Sequence, residues 1–428
     1  MRAGGRTAVL LELPVPYIDD DGLQPPGGLV SIASYAAERG FPVSICDLSG
    51  LPADQSCARI PAADVYGFSL YSVTYGLALQ LVTNLRRLAP EAVLVAGGPH
   101  ATALPEEVAR HFDFVICGEG EQAFTDLLAA LSDGHTPRPI IRAEPIAELD
   151  QLPFPDFERF CDMKRYTRRV AGQPALCLDS SRGCSFRCRF CNSRVIERGR
   201  WRARSPESVA KEVAAHCRRG WTAFRFNDDS FTANGERALA ICSLLEPLGI
   251  KFRIFARAED LCNRGICRRL AEAGCVHVSV GIESLSPVML GRMAKATSVR
   301  RIFEGVSAAH QSGLGVRGYF LVGFPGETND TVAESIAGLD GLELDEATVY
   351  PCIPYPGTDL FTRPDHYGIT WIDPDFSHFI QVGKNRSAGF VMRTTTFGPE
   401  QVQQWRAQFM RALQERETGW CAEKGVAQ

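Results

Sequence analysis

Ala175-Leu176-Cys177-Leu178-Asp179-Ser180-Ser181-Arg182-Gly183-Cys184-Ser185-Phe186-Arg187-Cys188-Arg189-Phe190-Cys191 is the stretch on which the fold of this chain turns. Residues 175–178 read as a short buried strand, and the strand runs straight into a C-x3-C-x2-C loop. Three thiolates on one short loop hold three corners of an iron–sulfur cube and leave the fourth iron with an open coordination position. Zinc is the competing reading, but a structural zinc wants four protein ligands in a tetrahedron. The nearest fourth candidates, Cys177 and His216, fall within a predicted strand and a predicted helix. Arg182, Arg187 and Arg189 put positive charge on the loop, which favours thiolate and an anionic cluster.

Downstream, strand-like runs recur at 223–226, 252–255, 276–280, 319–322 and 348–350, with helical segments between them such as 208–217 and 237–245. Six β/α units predict a partial parallel barrel with its chemistry at the C-terminal ends of the strands. Those ends carry Asn227-Asp228-Asp229, then Arg257, then Gly281-Ile282-Glu283-Ser284, then Gly323-Phe324-Pro325-Gly326-Glu327-Thr328, and finally Pro356-Gly357-Thr358. Taken singly, each has a plain alternative: Asp229 or Ser230 as a helix N-cap, Glu283 as a solvated loop charge, the Gly-Phe-Pro-Gly stretch as a turn. Aligned on successive strands behind the cysteine loop, they read together as one site. Beyond about residue 370 the clearest element is a helix near 400–414, and the stretch 362–393 carries His366, Tyr367, Trp371, His378 and Lys384 as lid candidates.

Upstream lies a second alternating series. Strands are predicted at 8–13, 43–48, 65–70, 93–96 and 114–117, and helices at 29–39, 77–88, 106–111 and 122–131. Five strands alternating with helices imply a doubly wound parallel sheet that takes ligands at one edge. That edge is glycine-rich at Gly27-Gly28, Gly67-Phe68-Ser69, Gly97-Gly98-Pro99-His100 and Gly118-Glu119-Gly120-Glu121, which suits close backbone approach to a bulky ligand. This first domain has neither G-x-G-x-x-G nor a Walker motif, so nicotinamide and ATP are not its leading ligands. Pro137, Pro139, Pro145, Pro153 and Pro155 punctuate a connector. The expected division is 1–135 for the first domain, 136–170 for a linker, 171–370 for the barrel and 371–428 for a C-terminal extension that packs or acts as a substrate lid.

The 428 residues are 45% apolar and 22% charged, ordinary globular composition that excludes disorder and collagen-like order. With 46 Lys and Arg against 50 Asp and Glu, the net charge of −4 gives no footprint for nucleic acid or an anionic membrane. No run of about 18 apolar residues is present. Met1 to Arg6 leads directly into a strand-like stretch without a signal-peptide core, so a cytoplasmic protein is expected. Fifteen cysteines in a reducing compartment are not a disulfide framework; Cys46, Cys57, Cys117, Cys217, Cys242 and Cys275 sit among apolar residues as small hydrophobes.

The cysteine loop, with Phe190 before its last cysteine, resembles the radical S-adenosylmethionine (SAM) enzymes. The first domain resembles the cobalamin-binding domain that precedes the barrel in one large subfamily of them. The resemblance runs from about Thr7 to Thr358. It implies a 4Fe-4S cluster on Cys184, Cys188 and Cys191 as the catalytic centre. It also implies SAM held by Phe190, Asn227, Asp228, Asp229, Arg257, Glu283, Ser284, Gly323 and Phe324. Cobalamin, as methylcobalamin, would lie against Gly27, Gly28, Phe68, Ser69, Gly97, Gly98, His100, Gly118, Glu119 and Gly120. One departure is Asn-Asp-Asp after the second barrel strand in place of the family's Gly-Gly-Glu. The expected activity is methylation of an unactivated carbon in a small metabolite or peptide through a 5′-deoxyadenosyl radical. The alternatives are a cobalamin-dependent rearrangement, cyclisation or ring contraction without methyl transfer, and a non-catalytic corrinoid sensor. The implied partners are the substrate and an electron donor such as flavodoxin or ferredoxin, with no nucleic acid and no membrane; oligomeric state is left open.

Overall fold

The computed structural model describes residues 6–18, 20–381 and 389–416. The chain divides into two compact units. The first comprises Met1–Thr167 with Val195–Arg198 and Asp375–Phe379; the second comprises Arg168–Arg194, Gly199–Pro374 and Ile380–Gln428.

In the first unit, β1 (Ala8–Glu12), β2 (Val43–Asp47), β3 (Val65–Ser69), β4 (Val93–Gly97), β5 (Phe114–Cys117) and β6 (Ile140–Arg142) form one sheet in the order β2-β1-β3-β4-β5-β6. Every pairing is parallel. Alternate residues of each strand face opposite layers. Val9, Leu11, Tyr66, Phe68, Leu94 and Ala96 share a core with Ala78, Leu81 and Leu85 of α3 (Tyr75–Leu88). Ala8, Leu10, Val65, Val95, Phe114 and Ile116 share the other with α1 (Gly27–Glu38) and α6 (Gly120–Ser132). Both faces are therefore covered, as an all-parallel sheet requires. Strand order reverses between β1 and β3, which opens the ligand crevice at their C-terminal ends.

Three local features differ from the sequence expectation. α2 (Ala53–Arg59) lies where no helix was expected. β6 sits in the stretch read as connector, where three residues between prolines are too few to show a period. The helix expected over 106–111 is the shorter α5 (Pro105–Val108), and a separate α4 (Pro99–Ala103) precedes it, ending before Pro105, which cannot continue it.

In the second unit, β7 (Leu176–Leu178), β8 (Ala223–Phe226), β9 (Lys251–Ala256), β10 (Cys275–Glu283), β11 (Gly315–Val322) and β12 (Glu346–Pro351) pair in sequential order, all parallel. Sequential order with a helix after most strands makes a partial barrel. The helices start where side chains cap them: Ser205 accepts from Ser208 N at 3.1 Å before α7 (Pro206–Arg218), and Asn234 accepts from Arg237 N at 2.9 Å before α8 (Gly235–Leu245). Thr328 and Thr331 form a reciprocal cap at the start of the helix Asn329–Ala337. The C-terminal helix Pro399–Glu415 lays Phe409 against Phe320 of β11, with ring centroids 4.8 Å apart, so Phe320 marks the helix-covered face of the barrel. Among the described residues, no helix is long and apolar enough to cross a membrane.

Candidate functional site

Cys184, Cys188 and Cys191 are unpaired and half-buried on the loop that leaves β7. The loop is held from outside. Arg189 N donates to Met293 O at 3.0 Å, Arg189 Nη1 donates to Arg292 O at 3.0 Å, and Arg257 Nη1 lies 3.9 Å from Cys188 Sγ. The Arg257 guanidinium also stacks 3.6 Å from the Phe186 ring centroid and bonds Glu259 and Lys295 O. Arg257 is thereby fixed against the loop, where it offers charge to a thiolate. Burial pushes the Cys191 thiol up to about 12, with Asp229, Cys188 and Cys184 adding repulsion. Three thiols that repel one another as anions need cations among them, so the donor set fits iron.

Lys295 is a residue the sequence reading missed. It is 6% exposed, and its Nζ donates to Glu283 Oε1 at 2.8 Å. Ala294 and Ala296 on either side have φ of 52° and 53°, and Glu283 has φ of 65°. Left-handed conformations at three non-glycine residues cost of order 1–3 kcal/mol each and cluster at functional sites. The pair occupies the space above Gly281, where a Cβ would stand 2.6 Å from Glu283 Oε1 and 2.9 Å from Lys295 Nζ. Lys295 also lies within electrostatic reach of Cys188 and Arg257. Cys188, Arg257, Lys295 and Glu283 therefore converge at the C-terminal end of the barrel.

The two aspartates after β8 part company. Asp228 is 1% exposed and accepts from Ser180 N at 2.7 Å, Ser180 Oγ at 2.6 Å and Ser181 Oγ at 2.5 Å, so it ties β8 to the start of the cysteine loop. Asp229 points the other way, accepting from Ser193 Oγ at 2.5 Å, and its charge acts on Cys184 and Cys191. Asn227 N donates to Leu178 O at 2.8 Å. Ser284 is buried and bonds Ser335 Oγ at 2.9 Å and Ser286 N at 3.1 Å, away from the thiols in function: it anchors the end of β10. Phe190 and Phe324 pack in one apolar cluster with Met289, Met293, Leu321 and Cys352.

Gly323 has φ of 85°, and a Cβ there would stand 2.6 Å from Val402. Its N–H and that of Phe324 donate to the Glu327 carboxyl, which burial pushes up to about 8. A raised carboxyl favours the folded state while it keeps its proton. Its contribution is complete below pH 4.5 and is lost as the pH climbs to about 8. Urea unfolding of the wild type is expected to weaken across that window by an amount on the order of a few kcal/mol, and Glu327→Gln is expected to flatten the dependence. Equal pH slopes for the two proteins would contradict this role for Glu327.

In the first unit, a Cβ on Gly27 or Gly28 would meet nothing within 4 Å, and one on Gly97 only Ile116 O at 3.9 Å. These three leave the crevice edge open to a large ligand, which fits the corrinoid cofactor. Ser69 is half-buried at the end of β3. The other candidates serve the fold as well. Gly98 lies 3.0 Å (from its would-be Cβ) to Leu70 backbone, Gly120 gives way to Ile32, Gly118 N bonds Thr102 Oγ at 3.0 Å, and Glu119 accepts from Ile146 N at 2.6 Å. Phe68 is core, edge-on to Phe112 at 5.2 Å. His100 is 1% exposed, with Nδ1 3.0 Å from Ser72 Oγ and its ring 4.3 Å from that of Tyr75; burial pushes its imidazole down to about 4. Of the lid candidates, Tyr367 meets Phe324 edge-on at 6.3 Å, and Lys384 lies outside the described residues.

Sequence comparison matches residues 178–337 to the radical SAM superfamily and residues 20–128 to the B12 binding domain. A protein of Pyrococcus horikoshii named an uncharacterized methyltransferase is 32% identical over 363 residues, covering 79% of this chain and 78% of that one. The bacteriochlorophyllide d C-12(1)-methyltransferase of Chlorobaculum tepidum is 23% identical, covering 85% and 79%. Among solved structures, the radical S-adenosylmethionine methyltransferase TsrM of Kitasatospora setae, with cobalamin and an iron–sulfur cluster bound, superposes with a TM-score of 0.70 at 18% identity, covering 95% of this chain and 85% of that one. The cobalamin-dependent radical enzyme OxsB superposes at 0.67 and 18% identity, covering 97% and 62%.

Proposed function

We propose a reaction for a chain that belongs to the radical SAM superfamily and carries a B12-binding domain before its barrel: methylation of a carbon atom in a small-molecule substrate. The observation that carries it is the convergence of Cys188, Arg257, Lys295 and Glu283 at the barrel end, in a chain whose other unit leaves the space beside Gly27, Gly28 and Gly97 open. When bound, the cluster and SAM supply a 5′-deoxyadenosyl radical that takes hydrogen from the substrate carbon, and methylcobalamin supplies the methyl group.

The chain's residues divide the work. Cys184, Cys188 and Cys191 hold iron, and Arg257 neutralises charge beside Cys188. Lys295 would receive the SAM carboxylate, Asp229 its amine, and Glu283 its ribose, each through charge-assisted hydrogen bonds. Phe190 and Phe324, in their apolar cluster, keep water from that end of the barrel. A small electron-transfer protein of the flavodoxin or ferredoxin type would deliver the two electrons that each turnover, drawing on two SAM molecules, consumes. The test is product analysis after anaerobic turnover. Methylation requires a product heavier by one CH2, with both 5′-deoxyadenosine and S-adenosylhomocysteine released. A product that has only lost hydrogen, without S-adenosylhomocysteine, would transfer the chain to the rearrangement class.

Cobalamin, when bound, would be offered no imidazole by the loop after β1. The loop from Pro14 to Gly28 has no histidine, and Asp21 organises it instead, accepting from Val15 N and Gly50 N, each at 2.8 Å. His100 is engaged with Ser72 and Tyr75. In cobalt(II) protein labelled with nitrogen-15 and loaded with unlabelled cofactor, the spin-resonance spectrum should match that of unlabelled protein. A strong axial splitting that changes with the protein's isotope would show a protein nitrogen on cobalt.

A further inference from the structure

The barrel lumen is cationic, where such interiors are ordinarily filled by branched apolar side chains. Phe224, Phe226, Ile254, Val278 and Phe320 take the helix-covered face of their strands, and the residues between them turn inward. Arg225 stands beside Arg253, Arg253 beside His277, and Arg317 beside Glu346 in the strand register. Arg168 joins them and is 9% exposed. Arg317 pairs with Glu346, Arg253 Nη2 is 3.9 Å from the same carboxylate, and Arg253 also reaches His277 Nδ1 at 3.0 Å. Two guanidiniums thus share one carboxylate.

Arg225 has no such partner among the described residues. Its guanidinium lies 4.8 Å from the centroid of the Phe255 ring, which stacks on Tyr319 at 6.2 Å, and Tyr319 stacks on Tyr350 at 5.7 Å. The arginines feel one another: burial and the neighbouring guanidiniums push Arg168 and Arg253 down to about 10. The same surroundings push the His277 imidazole down to about 3. Like charges gathered out of water destabilise the unliganded protein unless an anion joins them. A guanidinium held against an aromatic ring with its N–H groups unspent is suited to a bidentate oxyanion.

We propose that this lumen is an oxyanion site, centred on Arg225, that receives a carboxylate, phosphonate or phosphate group of the substrate. That the anion belongs to the substrate rests on the methyltransferase reading; the binding of an anion does not. The site lies on the first inward layers of the strands, with Phe255 of the next layer against Arg225 and with Arg257 and Glu283 further along, at the C-terminal ends.

Thermal unfolding of the cluster-loaded protein, saturated with SAM so that Lys295 is occupied, tests the binding without turnover. Sodium methylphosphonate and sodium acetate are titrated separately against sodium chloride of matched ionic strength. At about ten times its dissociation constant, one or both should raise the midpoint by about 3 °C, the first marking a tetrahedral and the second a planar oxyanion. Arg225→Gln should weaken that response about tenfold and, unliganded, should melt no lower than wild type; Arg225→Lys should keep part of the response. The proposal is overturned if neither anion exceeds chloride, if Arg225→Gln responds like wild type, or if that variant melts lower or does not fold, which would make Arg225 a structural residue. Anion binding without any methylated product would instead count against the proposed reaction and leave the site standing.

Discussion

Cys188→Ala is expected to abolish iron–sulfur content and 5′-deoxyadenosine release together, to the level of protein never supplied with iron. Three thiolates are the minimum that still leaves one iron free for SAM, so the loop has none in reserve. Nor, among the described residues, is a substitute poised nearby. Cys177 is buried in β7, and Cys352 lies in the apolar cluster with Phe324, its thiol pushed well up by burial. The loss should be chemical rather than structural, because Cys188 is half-buried and the loop is anchored through Arg189 and Met293. Cys217→Ala, on the half-exposed side of α7, should keep full cluster content and shift stability by about 0.5 kcal/mol or less. Iron and sulfide analysis with the visible absorption of the cluster reads both variants. Full cluster content in Cys188→Ala would remove the basis for the radical reading.

The second large effect separates Asp228 from Asp229. Asp228→Ala leaves Ser180 N, Ser180 Oγ and Ser181 Oγ buried without their acceptor. Unmet buried donors cost about 1–3 kcal/mol each, so the loss should reach roughly 3 kcal/mol or more. Asp228→Asn keeps one good acceptor and should recover about half of it. Asp229→Ala should leave the urea midpoint nearly unchanged while weakening SAM binding by about tenfold or more, because what it removes is a charge facing the thiol loop. Equilibrium unfolding and SAM titration on the three variants check the division. A stable Asp228→Ala protein with lost SAM affinity would exchange the two roles.

Much of this was legible in the sequence because its signals are local. The cysteine spacing, the apolar runs of β7 to β12 and the glycines after β4 each occupy a few consecutive residues. What was hidden depends on tertiary placement. Lys295 sits in Met293-Ala294-Lys295-Ala296, a stretch with no motif, and only the backbone strain around it and the pair with Glu283 give it a role. Asp228 and Asp229 are adjacent and identical in type, yet one turns into the protein and the other toward the thiols. Phe224-Arg225-Phe226 and Phe252-Arg253-Ile254 alternate as strands with one wet face do. The wet face becomes the lumen only when six strands curve around it, which no local window reveals. His100 read as a residue of the cofactor tail, and the structure adds its packing against Tyr75.

Cobalamin as the methyl donor to carbon can be tested by one experiment without intermediaries. The reconstituted protein, loaded with methylcobalamin carrying a carbon-13 methyl group, is given unlabelled SAM, an electron donor and a boiled extract of small molecules. The first turnover should place the label in a single acidic metabolite, on a carbon–carbon bond visible by carbon-13 resonance, in an amount equal to the cofactor loaded. If 5′-deoxyadenosine accumulates while the label stays on cobalt, or if the product's new methyl group is unlabelled, the chain is not a cobalamin-dependent carbon methyltransferase.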